Sequence, residues 1–285
     1  MIKKISLQKL PSKATTYLRV FPTLFKKGKK SFPTIQIDLP SARLEESKVA
    51  EYQKICGFSL PSSVPSTYLH AYIFPLQSML LSDPAFPFPM LGLIHFANSI
   101  KQYRPLLLSE NFSVRCHLGK LLAHEKGQAF EILCEIRVGQ ELVWEESSVI
   151  LCRGVLGKGE PLNWPQPLLT EDSKKETWIM PSNLGRRFAK VSGDYNPIHL
   201  YPFTAKLFGF PRNIAHGMWS LGRAISNYPS LLDQPHELTV LFKTPVLLPS
   251  QVVFREQQGS LGTEFDLVDK NEEKPHMRAF LRLLN

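Results

Sequence analysis

The chain has 285 residues, 43% of them hydrophobic, and a net charge of +9, a globular profile with length for one large domain or two ordinary ones. No apolar run reaches the roughly 18 residues a membrane span needs, and no apolar leader follows the basic Met1-Ile2-Lys3-Lys4. Cys56, Cys116, Cys134 and Cys152 are scattered without a C-x-x-C pair, which argues against a zinc site or disulfide framework and for a reduced, cytoplasmic setting.

The charge sits at one end. Residues 1–30 carry nine Lys and Arg and no acidic residue, so the rest of the chain sums to zero. Such a basic arm suits an anionic partner: coenzyme A phosphates, an acidic carrier protein or a membrane surface. No nucleic-acid motif accompanies it, so nucleic acid is not expected. The bland alternative is a solvated arm with no dedicated partner.

Beyond the arm, Ile35–Ser41 reads as a short strand, with Pro40-Ser41 placing a Ser that can cap a following helix. The stretch Tyr52-Gln53-Lys54-Ile55-Cys56-Gly57-Phe58-Ser59-Leu60-Pro61 then matches Phe188-Ala189-Lys190-Val191-Ser192-Gly193-Asp194-Tyr195-Asn196-Pro197 without gaps at an offset of 136. A strand-like run and Pro181-Ser182 precede the second copy too. Ala85-Phe86-Pro87-Phe88-Pro89-Met90 suits a rigid apolar rim. Phe88-Pro89 and Phe210-Pro211 each lead into an apolar stretch predicted as helix, ending near Ile100 and Ile225.

Both halves finish in strands. In the first these are Asn111–Leu118, Gln128–Val138 and Glu141–Arg153. In the second they are Glu237–Thr244, Gln251–Gln258, Thr263–Val268 and His276–Leu284. The order predicts a duplicated α+β scaffold, with repeats at 1–160 and 172–285 and a link near Leu156–Glu176.

Only the second copy is equipped for chemistry. Asp194 lies over Phe58, Asn196 over Leu60 and His199 over Ser63. A site without chemistry tends to lose a carboxylate, because burying one is costly. The first half is therefore expected to be scaffold and apolar binding surface, with His70 and His95 as ordinary, partly buried histidines. In the second half an acid and a base stand five residues apart across the Asn196-Pro197 turn, and Gly217 opens a second predicted helix. Carboxylate, imidazole and a helix N-terminal amide are the parts needed for proton chemistry beside a carbonyl. For Asp194 alone an Asx turn would be the simpler reading. His216 reads as a hydrogen-bonded loop residue, and Asp194, His199 and His216 could in principle bind a metal, though none is required.

Ser192-Gly193-Asp194-Tyr195-Asn196-Pro197-Ile198-His199, followed by Gly209-Phe210-Pro211-Arg212-Asn213-Ile214-Ala215-His216-Gly217-Met218, resembles the MaoC-like (R)-specific enoyl-CoA hydratases and 3-hydroxyacyl-thioester dehydratases. The resemblance implies a double hot-dog fold, each repeat an antiparallel sheet wrapped around a central helix, with a degenerate first repeat. It implies that Asp194 and His199 hold the catalytic water and that the Gly217 amide receives the oxyanion. Asn196 and Pro197 would shape the loop, and Ile214, His216 and Met218 would lie against substrate. One departure stands out: family members often carry Asp two residues after the catalytic His, where this chain has Tyr201. The expected activity is hydration of trans-2-enoyl thioesters, or the reverse dehydration, in fatty acid metabolism. The acyl group would ride on coenzyme A or acyl carrier protein, with no cofactor and with homodimer formation possible. A non-catalytic acyl-binding protein and a hot-dog thioesterase are the alternatives.

Overall fold

A computed structural model describes residues 2–12, 23, 31–58, 64–90, 92–167, 169–260 and 262–284. The first half runs β1 (Lys3–Ser6), β2 (Ile35–Ala42), α1 (Glu46–Cys56), α2 (Ser66–Ser82), β3 (Leu93–Gln102), β4 (Phe112–His124), β5 (Gly127–Val138) and β6 (Glu141–Arg153). After the two-residue β7 (Glu160–Pro161), the second half runs β8 (Lys174–Met180), α3 (Leu184–Ser192), α4 (Pro197–Leu200), α5 (Pro202–Lys206), α6 (Gly217–Ile225) and α7 (Pro229–Leu232). It ends in β9 (His236–Phe242), β10 (Ser250–Gly259), β11 (Gly262–Asp269) and β12 (Pro275–Leu283).

The strands form one sheet in the order β1-β2-β4-β5-β6-β3-β9-β12-β11-β10-β8, with β7 beside β4. With the edge strand β1 set aside and the strands numbered from β2 and from β8, each half has the order 1-3-4-5-2, and the halves meet where β3 pairs antiparallel with β9 from Ala97↔Leu241 to Gln102↔His236. Alternation sets the inner face: Ile35, Ile37 and Leu39 on β2 are fully buried while their neighbours face outward. The arrangement is a double hot-dog of α+β class, with the sheet wrapped around α2 and α6 and one continuous core shared by both halves.

The two central helices differ in kind. In α2, 13 of 17 residues are buried, so the helix is enclosed nearly all round and carries no exposed polar stripe. Pro75 inside it lacks the amide that would bond Ala71. Burial of side chains such as Ile73, Leu76 and Leu80, at about 1.5–3 kcal/mol each, offsets that loss. Helix α6 is shorter and opens directly on a glycine.

Several expectations change here. The apolar stretch ending near Ile100 is not a helix but strand β3, and the first half's central helix is Ser66–Ser82 instead. A short apolar run cannot distinguish helix from buried strand, and Pro75 disguised the true helix. Ser41 lies within β2, and α1 starts after Glu45, which makes no side-chain cap bond. Asn183, not Ser182, stands at the N-cap of α3, also without a side-chain bond. The basic arm is not free at its start: Lys3–Ser6 pairs parallel with β2, and Lys3 Nζ meets Asp83 Oδ2 at 2.5 Å. The rest of the arm beyond residue 12, except Thr23, lies outside the described residues, as do Leu60 and Ser63. Along the link, Leu162 and Trp164 pack on a small apolar cluster around Ala97 and Leu241, at the seam of the two halves.

Candidate active site

Helix α3 ends where Gly193 takes a left-handed conformation (φ 79°) and its amide bonds Ala189 O. The matching Gly57 after α1 does the same at φ 83°. This C-cap turns the chain out of the helix and sets Asp194 beside the core. Ser192 Oγ accepts from the Asp194 amide at 3.2 Å, and Asp194 Oδ1 accepts from the Asn196 amide at 3.0 Å. Asn196 is the N-cap of α4, its Oδ1 accepting from Ile198 N at 3.4 Å, and Pro197 occupies the first turn, where no amide donor is needed.

That short helix carries His199 back toward Asp194. His199 Nδ1–H donates to Ile214 O at 2.9 Å, which leaves the Nε2 lone pair free, 3.9 Å from Asp194 Oδ2. The gap is too long for a direct hydrogen bond and wide enough for a shared water. His216 Nε2–H donates to the Asp194 backbone carbonyl at 2.9 Å, and its ring stacks on that of His199 with centroids 3.6 Å apart. Burial, then the neighbouring His199, pushes the His216 pKa down to about 3, so the ring is neutral. Burial also lowers the His199 pKa, opposed by the Asp194 charge and the Ile214 bond.

Gly217 is the first residue of α6, where the leading amides have no intrahelical partner. A Cβ at Gly217 would stand 2.6 Å from Phe242 Cε1, so packing demands glycine there. Asp194, Asn196, Pro197, His199, Ile214, His216, Gly217 and Met218 all line a single cavity of about 430 Å³.

Asp194, His199 and His216 each offer a ligand atom within 4.8 Å of the others, a spacing a metal can use. Here His216 Nε2–H is already committed to the Asp194 carbonyl, so that nitrogen offers no lone pair to an ion in this arrangement.

Three supporting residues were not singled out from sequence. Asn213, 1% exposed, donates Nδ2–H to Ser182 O at 3.1 Å, while its own carbonyl accepts from Leu248 N at 2.8 Å. Gly185 lets α3 lie against α4, since a Cβ there would be 2.0 Å from His199 O. Arg186 bonds Leu200 O at 2.7 Å and lies over the ring of Tyr201, 4.6 Å from its centroid, in the loop where family members often have Asp. Glycine and arginine on a helix carry no such signal until the partner loop is placed.

The first half also departs from expectation. Its cavity wall is not purely apolar, and His70 does have a carboxylate partner: Glu146, 76 residues away on β6, lies 2.5 Å from His70 Nδ1. His95 stacks on His70 at 5.4 Å and lines the same cavity. Phe58, where the second copy has Asp194, packs against the core.

The family described as MaoC like domain matches residues 166–276. The chain is similar to 3-hydroxyacyl-thioester dehydratase X of Mycobacterium tuberculosis, 32% identical over 88% of this chain and 90% of that protein. It is 31% identical to the peroxisomal enoyl-CoA hydratase 2 of Arabidopsis thaliana over 54% of this chain and 55% of the relative. Its fold superposes on the crystal structure of HtdX from Mycobacterium tuberculosis with a TM-score of 0.76 and 30% identity, covering 87% of this chain and all of that one. With the relative matched over nearly its whole length, and the motif residues gathered in one cavity, the chain belongs to the MaoC-like dehydratase family.

Proposed function

We propose that this protein is a hydro-lyase that hydrates trans-2-enoyl thioesters and dehydrates (3R)-hydroxyacyl thioesters in fatty acid metabolism, with coenzyme A or acyl carrier protein as carrier. The observation that carries the reading is the His199 Nε2 lone pair 3.9 Å from Asp194 Oδ2, inside the cavity that Gly217 borders. A water held between the two loses a proton to His199 as its oxygen adds to Cβ. That proton is returned to Cα through the pair, with Asp194 orienting the water, so one oxygen–carbon and one carbon–hydrogen bond form while the double bond is lost. Negative charge collects on the thioester oxygen, where the first-turn amide of α6 at Gly217 meets it. His216 holds the Asp194 loop through its carbonyl bond, and Ile214 sets the His199 tautomer.

Asp194→Asn and His199→Ala are each expected to lower crotonyl-CoA hydration by at least about 10²-fold, with unchanged circular dichroism. The assay follows loss of enoyl-thioester absorbance, with chiral analysis of the product. Wild-type rates in both variants would sink the mechanism, and release of free thiol without hydration would point to a thioesterase instead.

The reading divides the chain into a degenerate repeat at 1–160 and a catalytic one at 172–285. It places the protein in a reduced cytoplasmic setting, supported by four cysteines that are all free and buried. No helix among the described residues is long and apolar enough to cross a membrane. Light scattering tests the homodimer, and KM for the two carriers at low and high salt tests the basic arm, since an electrostatic contribution fades with screening.

A further inference from the structure

The first half places a carboxylate where its counterpart has none. Glu146, 3% exposed, takes three donors: His70 Nδ1–H at 2.5 Å, Asn98 Nδ2–H at 2.6 Å and Gln77 Nε2–H at 2.8 Å. Asn98 also donates to Ser148 Oγ at 3.0 Å. In the second half β12 holds the place of β6, and its core residues Met277, Ala279 and Leu281 are apolar. The fold therefore does not require a polar group at this level of the sheet. Burying a carboxylate and its partners is costly, and an all-apolar wall would suit a plain alkyl chain better.

The cluster reaches the cavity through His70 and Gln77, both in its wall. A carboxylate only accepts, so the proton between His70 and Glu146 belongs to Nδ1. The ring's other nitrogen, Nε2, makes no hydrogen bond among the described residues, and the side chain retains 10% exposure in this wall. A route of aromatic contacts joins it to the candidate active site: His70 stacks on His95 at 5.4 Å, His95 meets Phe242 at 5.3 Å, and Phe242 packs on Gly217.

We propose that His70, oriented by Glu146, forms a distal subsite that binds a hydroxyl group carried on the acyl chain of the substrate. A hydroxyl both donates and accepts, so it pairs with Nε2 of the neutral ring and with Nε2–H of the charged one. A carbonyl pairs only with the second, and a methylene with neither. The substrates are thereby hydroxylated enoyl thioesters rather than plain alkyl ones. The inference rests on the hydratase reading above.

The test compares kcat/KM for pairs of trans-2-enoyl-CoA substrates of equal length, one plain and one with a hydroxyl at successive carbons beyond the double bond. At the matching carbon, the wild type is expected to favour the hydroxylated member by at least about tenfold, because a site built to bond a hydroxyl rejects the analogue without one. In the double variant His70→Leu with Glu146→Gln, whose amide oxygen still accepts from Asn98 or Gln77 in place of the carboxylate, that ratio is expected to fall to near one. A purely structural role for the cluster would leave the ratio unmoved. Equal values for every pair in the wild type overturn the inference alone, as does a preference that survives in the double variant. Failure to hydrate any thioester overturns the proposed function and this inference with it.

Discussion

Two stacked histidines in this cavity make different hydrogen bonds. His199 donates from Nδ1 to Ile214 and keeps a lone pair toward Asp194, whereas His216 donates from Nε2 to the Asp194 carbonyl. Because burial lowers the His199 pKa, this proposed base stays neutral to lower pH than an ordinary histidine. The acid limb of kcat/KM for hydration is therefore expected below pH 6.5, the usual histidine value; a limb above that pH would contradict it. Stability follows the same sign. His95 and His216 are both held near 3, so between about 3 and 6.5 the unfolded chain binds more protons than the folded one. Stability is full above 6.5 and falls as pH drops toward 3, by up to about 1.4 kcal/mol per pH unit for each ring. Urea midpoints measured across this window check the slope. Gly217→Ala is expected to destabilise by about 1–3 kcal/mol through overpacking, and Phe242→Leu on that background should recover much of the loss, because the clash is with the Phe242 ring. An unchanged melting temperature in Gly217→Ala would rule out the tight contact.

At the scale of elements, α6 is locked to α1 by contacts that cross between the halves. Trp219 Nε1–H donates to Ile55 O at 3.0 Å, and Gly222 allows an approach so close that a Cβ would lie 2.6 Å from Tyr52 Oη. Ser66 Oγ at the head of α2 meets His236 Nε2 at 2.9 Å, tying the other central helix to β9. Trp219→Phe, which keeps most of the ring and removes the donor, is expected to cost about 0.5–1.5 kcal/mol, read as a lowered urea midpoint with unchanged m-value; no change would mean water replaces the bond. Helix α2 shows why element type was harder to read than element order. A helix buried on every side has no polar face to set a period of 3.6, and Pro75 in its middle argues locally against helix. The strands of the second half were legible because turn residues bound them, as Gly262 does at the start of β11. The Asp194–His199 pair was legible for a different reason, since its geometry is made by a C-cap glycine and an Asn-Pro turn only five residues long.

For the molecule as a whole, the pairing of β3 with β9 makes the two halves one sheet and one core. The cavity draws on both, from His70 on α2 to His199 on α4. A chain of residues 172–285 alone would expose β9 along its seam and lose the part of the cavity wall that α2 and β3 supply. It is expected to show no crotonyl-CoA hydration, with activity returning on co-expression with residues 1–160; full activity of the isolated fragment would refute the shared cavity. The local motif, the hairpin strands that close each half and the apolar replacement of Asp194 by Phe58 were determined by sequence alone, because caps, turns and alternation act between residues close in the chain. The His70–Glu146 pair, the Gly217–Phe242 contact, the role of Asn213 and the strand identity of Leu93–Gln102 were decided only by the tertiary structure. Each joins groups tens of residues apart or more, and burial, which sets their energies, exists only once the sheet has closed around its helices.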